Sequence, residues 1–217
     1  SMRRLVDDNP TRYMEKPKVV KAIKRRVPKD EFLTLYRSLP TGKWIDRRDR
    51  CLLLTLYYSG LRLTECLSLL PTDIDYDNRL IVVRSGKGEK PRHVPYHPAL
   101  TDELSAYLEL RPPFASEYLF VADDGHGRVR GQLTVGGLRA TLERRFAAAG
   151  LPYRNPHAFR HAFAMDFLNG GMALSALSTA MGHASVVTTE REYASWLTEG
   201  LRREYNAALP NVVDPTS

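Results

Sequence analysis

Between Asn155 and Tyr193 the chain collects His157, Arg160, His161, His183 and Tyr193. These are groups suited to holding a phosphate and attacking it. A guanidinium fork matches phosphate oxygens and stays charged at any working pH. Imidazoles accept or donate protons near neutrality. A phenol can be a nucleophile, but its pKa near 10 makes it a poor one unless neighbours help. Any one of these residues alone is more often a packed aromatic or a satisfied structural histidine. The set carries the chemistry.

The elements that must position the set follow from the same stretch. Asn155 is a good N-cap and Pro156 a favoured first helical residue. A helix from there puts His157 and Arg160 in its first turn, three apart and on one face, beside N–H groups that favour an anion. Phe159, Phe163 and Phe167 recur every four residues and predict a separate packing stripe. Gly170-Gly171 ends this helix. A short helix over Ala173–Met181 stops at Gly182, a plausible C-cap, and His183 follows on the turn. Ser185 or Thr188 then caps a last helix carrying Tyr193.

The rest of the 217 residues suits one sizeable domain with an arm. A formal charge of +7 points toward nucleic acid or another anionic surface. Cys51 and Cys66 both fall inside apolar helical patterns and read as small buried hydrophobes. That usage fits a reducing, cytoplasmic setting. No run is long enough to span a membrane. Residues 1–27 are basic and punctuated by proline, and read as an arm or interdomain linker that contacts phosphate or stays a solvated tail. Helices are predicted from Pro28, from Arg47 to Tyr58 with Asp46 as cap, and from Thr64, with Arg62 at the turn before it. Thr72–Pro95 alternates and turns twice, as a small antiparallel sheet does. Pro98–Leu110 reads as helix, Tyr118–Val121 as a short extended piece and Asp123–Arg130 as a glycine-rich basic loop. Gln132–Ala149 reads as a helix exposing Arg139, Arg144 and Arg145, and Trp196–Leu209 as a terminal helix. The fold class is mainly α with one small antiparallel β-sheet, α+β overall.

Five motifs in this order, Y-S-G-L-R-L-T-E, S-G-K-G-E-K, H-A-F-R-H, M-G-H and a tyrosine ten residues on, resemble the tyrosine recombinase family of phage integrases and Xer-like proteins. The resemblance covers residues 28–209, with 210–217 as a C-terminal tail. It implies that family's catalytic-domain fold and a site-specific DNA recombinase that cleaves and rejoins strands through a 3′-phosphotyrosyl intermediate. Arg62 and Arg160 match the two arginines that grip the scissile phosphate. Lys87 matches the sheet-turn lysine that protonates the leaving 5′-oxygen, with Lys90 as the competing candidate. His157 matches the histidine that aids proton transfer at the nucleophile. His183 matches the one that bonds a phosphate oxygen in the transition state, and Tyr193 matches the nucleophile. Glu65 matches a supporting acid that orients Arg62 or a histidine, and His161, where the family often has His, is structural or supports a neighbouring site residue.

The division of labour needs neither metal nor ATP, and no cofactor is expected. The sequence carries no H-E-x-x-H, C-x-x-C or P-loop motif. Double-stranded DNA is the expected partner, with a homotetramer assembled on it. The family's N-terminal core-binding domain is expected to lie outside this sequence, and the arm before Pro28 looks like the linker to it. Two alternatives stay open: a type IB topoisomerase-like enzyme that relaxes DNA as a monomer, and a DNA-binding relative that does not cleave.

Overall fold

The computed structural model describes residues 26–84, 91–113 and 116–194, together with residues 197 and 202. Its elements run α1 (Lys29–Ser38), α2 (Trp44–Tyr58), α3 (Leu63–Leu67), β1 (Ile74–Asp75), β2 (Leu80–Val83), β3 (Arg92–Pro95), α4 (Ala99–Leu110), β4 (Val121–Asp123), β5 (Val129–Gln132), α5 (Val135–Ala148), α6 (Pro156–Asn169) and α7 (Leu174–Met181). A further helix, α8, covers residues 186–194. The basic arm up to Arg25, both candidate lysines of the β2–β3 connection and most of the predicted terminal helix lie outside the described residues.

The apolar run of α2 makes it the central helix. Cys51 through Leu54 and Leu56 and Tyr57 are all buried, and α2 packs against α4 on one side and α6 on the other. Both cysteines are buried and free. Val27, the last residue of the expected arm, is wholly buried and donates its N–H to the Ala158 carbonyl on α6. The sheet β1-β2-β3 is antiparallel, with Ile81 opposite Val94 and Val83 opposite Arg92. Its inward residues Ile81, Val83 and Val94 join the main core, as alternation requires. A second, smaller apolar cluster gathers Phe163, Ala164, Leu177, Met181 and Tyr193 from α6, α7 and α8. No helix among the described residues is long and apolar enough to cross a membrane.

Three expectations shift. Helix α2 starts at Trp44, so Asp46 lies in its first turn, where its carboxylate accepts from Arg145 at 2.6 Å. Arg145 is accordingly not an exposed residue of α5. It bridges Asp46 and Asp49, while Arg144 beside it is 60% exposed. The stretch read as a glycine-rich loop is a second hairpin, β4-β5, preceded by irregular backbone at residues 118–120. Asp123 and Asp124 accept from the N–H groups of Gly125, His126 and Arg128, and Gly125 and Gly127 take positive φ. Side-chain capping of a turn is invisible to a periodicity argument.

Buried charge ties the layers together. Arg48, 1% exposed, donates to Asp49 at 2.9 and 2.7 Å and to the Val121 carbonyl at 2.7 Å. Glu103 on α4 accepts from Tyr36, Arg47 and Arg50, which come from α1 and α2. Burial alone would raise its carboxyl pKa, but the Arg50, Tyr36 and Arg47 hydrogen bonds outweigh that and hold it below the usual value.

Two predictions follow from these contacts. At Gly60, φ is +61° and an added Cβ would sit 2.3 Å from the Phe163 ring. Gly60→Ala therefore costs about 2 kcal/mol or more in denaturant unfolding, from strain and overpacking together. A variant as stable as the parent would contradict the tight approach of α6 to this turn. Glu103 has a depressed folded pKa, so its contribution is whole above about pH 4.5 and is lost as pH falls through the folded value. Glu103→Gln should lower Tm at neutral pH and flatten the acid-side decline of Tm with pH. An unchanged acid limb would remove Glu103 from it.

Candidate active site

Helix α6 begins as its sequence dictates: the Asn155 side chain accepts from the Ala158 N–H at 3.1 Å, and Pro156 is the first helical residue. One turn on, Arg160 points inward. Its Nη1 donates to the Gly60 carbonyl at 2.6 Å and its Nη2 to the Met181 carbonyl at 2.8 Å. The same Nη2 lies 3.1 Å from His183 Nε2. One guanidinium thus joins the turn after α2 to the end of α7. Burial, then the nearby Arg62 charge, lowers its pKa, yet an arginine remains cationic.

Arg62 arrives from the other direction, as the N-cap of α3 with extended backbone. Its N–H donates to Glu65 Oε2 at 2.6 Å, Nη1 reaches Glu65 Oε1 at 3.1 Å, and Nη2 donates to the Gly182 carbonyl at 2.7 Å. Glu65 therefore does what a capping-box acid does and orients the arginine as well. It is also clasped by Arg92, whose Nη1 and Nη2 each lie 2.8 Å from a different carboxylate oxygen. Burial would raise the Glu65 pKa, but the bonds from Arg92 and Arg62 prevail and lower it.

Arg92 is a residue that the sequence reading missed. It opens β3, directly after the connection that carries Lys87 and Lys90. Besides Glu65 it donates to the Ala180 carbonyl at 2.9 Å. Gly182 lies against it, with φ +66° at the C-cap of α7, where a Cβ would stand 2.6 Å from the guanidinium carbon. The glycine is needed twice, for its left-handed backbone and for this close approach. The signal in the sequence was an arginine one strand position past a lysine turn, which names no partner.

His183 leaves this turn held at both nitrogens. Nδ1 lies 2.6 Å from Thr189 Oγ1 on α8, and Nε2 faces Arg160. Burial, then the charge of Arg160, lowers its pKa, so the ring is neutral at pH 7. Tyr193, two α8 positions beyond Arg191, is 4% exposed. Its hydroxyl lies 3.1 Å from His161 Nδ1, with the two rings edge to face. Burial, then the Glu192 charge, raises its pKa, while Arg160 pulls the other way.

The structure thus brings Arg62, Glu65, Arg160, His161, His183 and Tyr193 into one place. His157 stands exposed at the start of α6, and it is His161, one turn further, that touches the phenol. Residues four apart share a helix face, so only the position of α8 along that face tells the two histidines apart. Lys87 and Lys90 lie outside the described residues. Thr189, also missed, carries no motif signal of its own; the candidate caps in this stretch are Ser185 and Thr188. Ser185 serves, its Oγ accepting from the Val187 N–H at 3.2 Å.

Comparison with known proteins agrees with this architecture. The phage integrase family model matches residues 25–199. The tyrosine recombinase XerA of Thermococcus kodakarensis is 36% identical over 201 residues, which is 93% of this chain and 68% of that protein. A crystal structure of XerA recombinase superposes with a TM-score of 0.71 at 28% identity, covering 86% of this chain and 65% of that one. The pre-cleavage complex of XerH site-specific recombinase with its difH substrate gives 0.66 at 26% identity, over 86% of this chain and 54% of that one. The chain spans about two thirds of the XerA length and about half of the XerH chain. With its motifs folded onto a shared helical scaffold and matched from residue 25 to residue 199, the chain belongs to the phage integrase family, the tyrosine recombinases.

Proposed function

We propose that this chain is the catalytic part of a site-specific DNA recombinase that cuts and rejoins strands through Tyr193. The observation that carries the reading is the convergence of Arg62, Arg160 and His183 on the α7–His183 turn, with Tyr193 packed beside them. Phosphoryl transfer requires neutralised equatorial oxygens, an in-line nucleophile and a proton for the leaving group. The two guanidiniums and His183 serve the first need. Tyr193 serves the second: its oxygen bonds to phosphorus as the bond to the 5′-oxygen breaks. The leaving oxygen takes a proton from Lys87, or from Lys90 in the same connection. His157 aids proton transfer at the nucleophile. The products are a 3′-phosphotyrosyl ester and a free 5′-hydroxyl. Attack by another 5′-hydroxyl reverses the step on a new strand without an outside energy source.

The described pose is a resting one. The phenol is buried and bonded to His161, so it must leave that contact to meet a phosphate. The guanidiniums hold main-chain carbonyls that a phosphate oxygen would replace, exchanging one acceptor for a more strongly charged one. DNA is the partner, and a homotetramer on DNA is the assembly that couples two duplexes. The XerH complex, with its recombinase on difH, supports DNA as the substrate class.

On a nicked suicide duplex the protein should form a gel-stable covalent adduct. Tyr193→Phe abolishes it, and Arg160→Ala reduces its rate by at least about a hundredfold. An adduct that survives Tyr193→Phe would place the nucleophile elsewhere. Exchange of strands between two differently marked duplexes separates recombination from simple relaxation; relaxation alone would favour the topoisomerase-like alternative.

A further inference from the structure

Two neighbours make opposite demands on the His183 ring. Arginine N–H groups only donate. With Arg160 Nη2 3.1 Å from Nε2, that nitrogen holds a lone pair in the resting site. The neutral ring therefore carries its proton on Nδ1, which donates to Thr189 Oγ1 at 2.6 Å. A phosphodiester oxygen only accepts. If His183 is to bond one through Nε2, the proton must be on Nε2, and Nδ1 must then accept. A hydroxyl is the side-chain group that can serve both states without moving, since it turns from acceptor to donor by rotating its hydrogen. If the ring instead becomes cationic, the same oxygen accepts as before. Thr189 is wholly buried, so water does not substitute for it there. The charged groups facing the ring are Arg160 from α6, Arg62 before α3, Arg92 from β3 and Glu192 from α8, the last with its carboxylate 3.9 Å from Nε2.

We infer that Thr189 is the positioning residue for His183: it fixes the ring through Nδ1, aims Nε2 at the phosphate, and reverses its hydrogen bond when the ring's proton moves. This rests on the phosphate-cleaving reading of the site. It also gives α8 a second task. The helix that carries Tyr193 also holds His183, from one turn earlier, in the pose where the phenol rests on His161.

The test uses the whole chain, measuring single-turnover adduct formation on a nicked suicide duplex at saturating protein. Thr189→Val, which keeps the shape and removes the hydroxyl, should slow the step by about 10–100-fold with DNA affinity unchanged, by analogy with the partners that orient metal-bound histidines. Thr189→Ser should recover to within about threefold. Histidine nitrogen NMR of the DNA-free wild type should show His183 neutral and protonated on Nδ1, and that resonance should move in Thr189→Val. Wild-type cleavage by Thr189→Val overturns the inference. So does a serine variant as slow as the valine one when both melt like the parent, or a resting ring protonated on Nε2. A wild type that forms no Tyr193 adduct overturns the functional reading and the catalytic half of this inference, while an Nδ1-protonated ring still upholds the positioning half.

Discussion

The turn at Gly182 is where the site is assembled, and the constraint there is steric before it is chemical. A left-handed residue ends α7 and sends His183 off the helix axis. Its carbonyl receives Arg62 and the carbonyl before it receives Arg160. Its missing side chain leaves room for Arg92, which closes the back of the site by gripping Glu65. Two guanidiniums from distant parts of the chain would repel each other if placed freely. Here each is held by oriented carbonyl dipoles, and Glu65 offsets part of the charge, so both can face one position before any anion arrives.

Such preorganisation needs a stiff frame, and α2 supplies it. Its buried face packs on α4 and α6, and its polar edge carries the Arg48–Asp49–Arg145 network across to β4 and α5. Buried ions are expensive unless every partner is satisfied. Arg48 meets that condition with a carboxylate and a carbonyl, which also sets the spacing between α2 and the second hairpin. At the C-terminal end of α2, the close contact of Gly60 with Phe163 holds the turn that leads to Arg62 against α6. The scaffold and the two arginines of the site are thus one packing problem.

Tyr193 belongs to a different packing unit. It sits in the satellite cluster of α6, α7 and α8 rather than in the main core. A small cluster can open at less free-energy cost than the core, so the phenol can be exposed without unfolding the domain. The raised phenol pKa in this pose has the same cause: burial favours the neutral hydroxyl.

Much of this was legible along the chain. The N-cap Asn155 with Pro156, the phenylalanine stripe of α6, the C-cap Gly182 and the alternating sheet segments are local devices, and each formed where local chemistry places it. The ordered motifs led to the family and to Arg62, Arg160, His183 and Tyr193. The helix α2 boundary, the β4-β5 hairpin and the burial of Arg145 were not legible, because each depends on side chains meeting partners that the sequence does not place beside them. By itself, then, the sequence determined which residues could do chemistry and which short elements carry them, since caps, periods and turns act over a few residues. Only the tertiary structure decided that Arg92 meets Glu65, that Thr189 meets His183 and that His161 meets the phenol. Those contacts are distances between α6, α8 and β3, set by how separate elements pack.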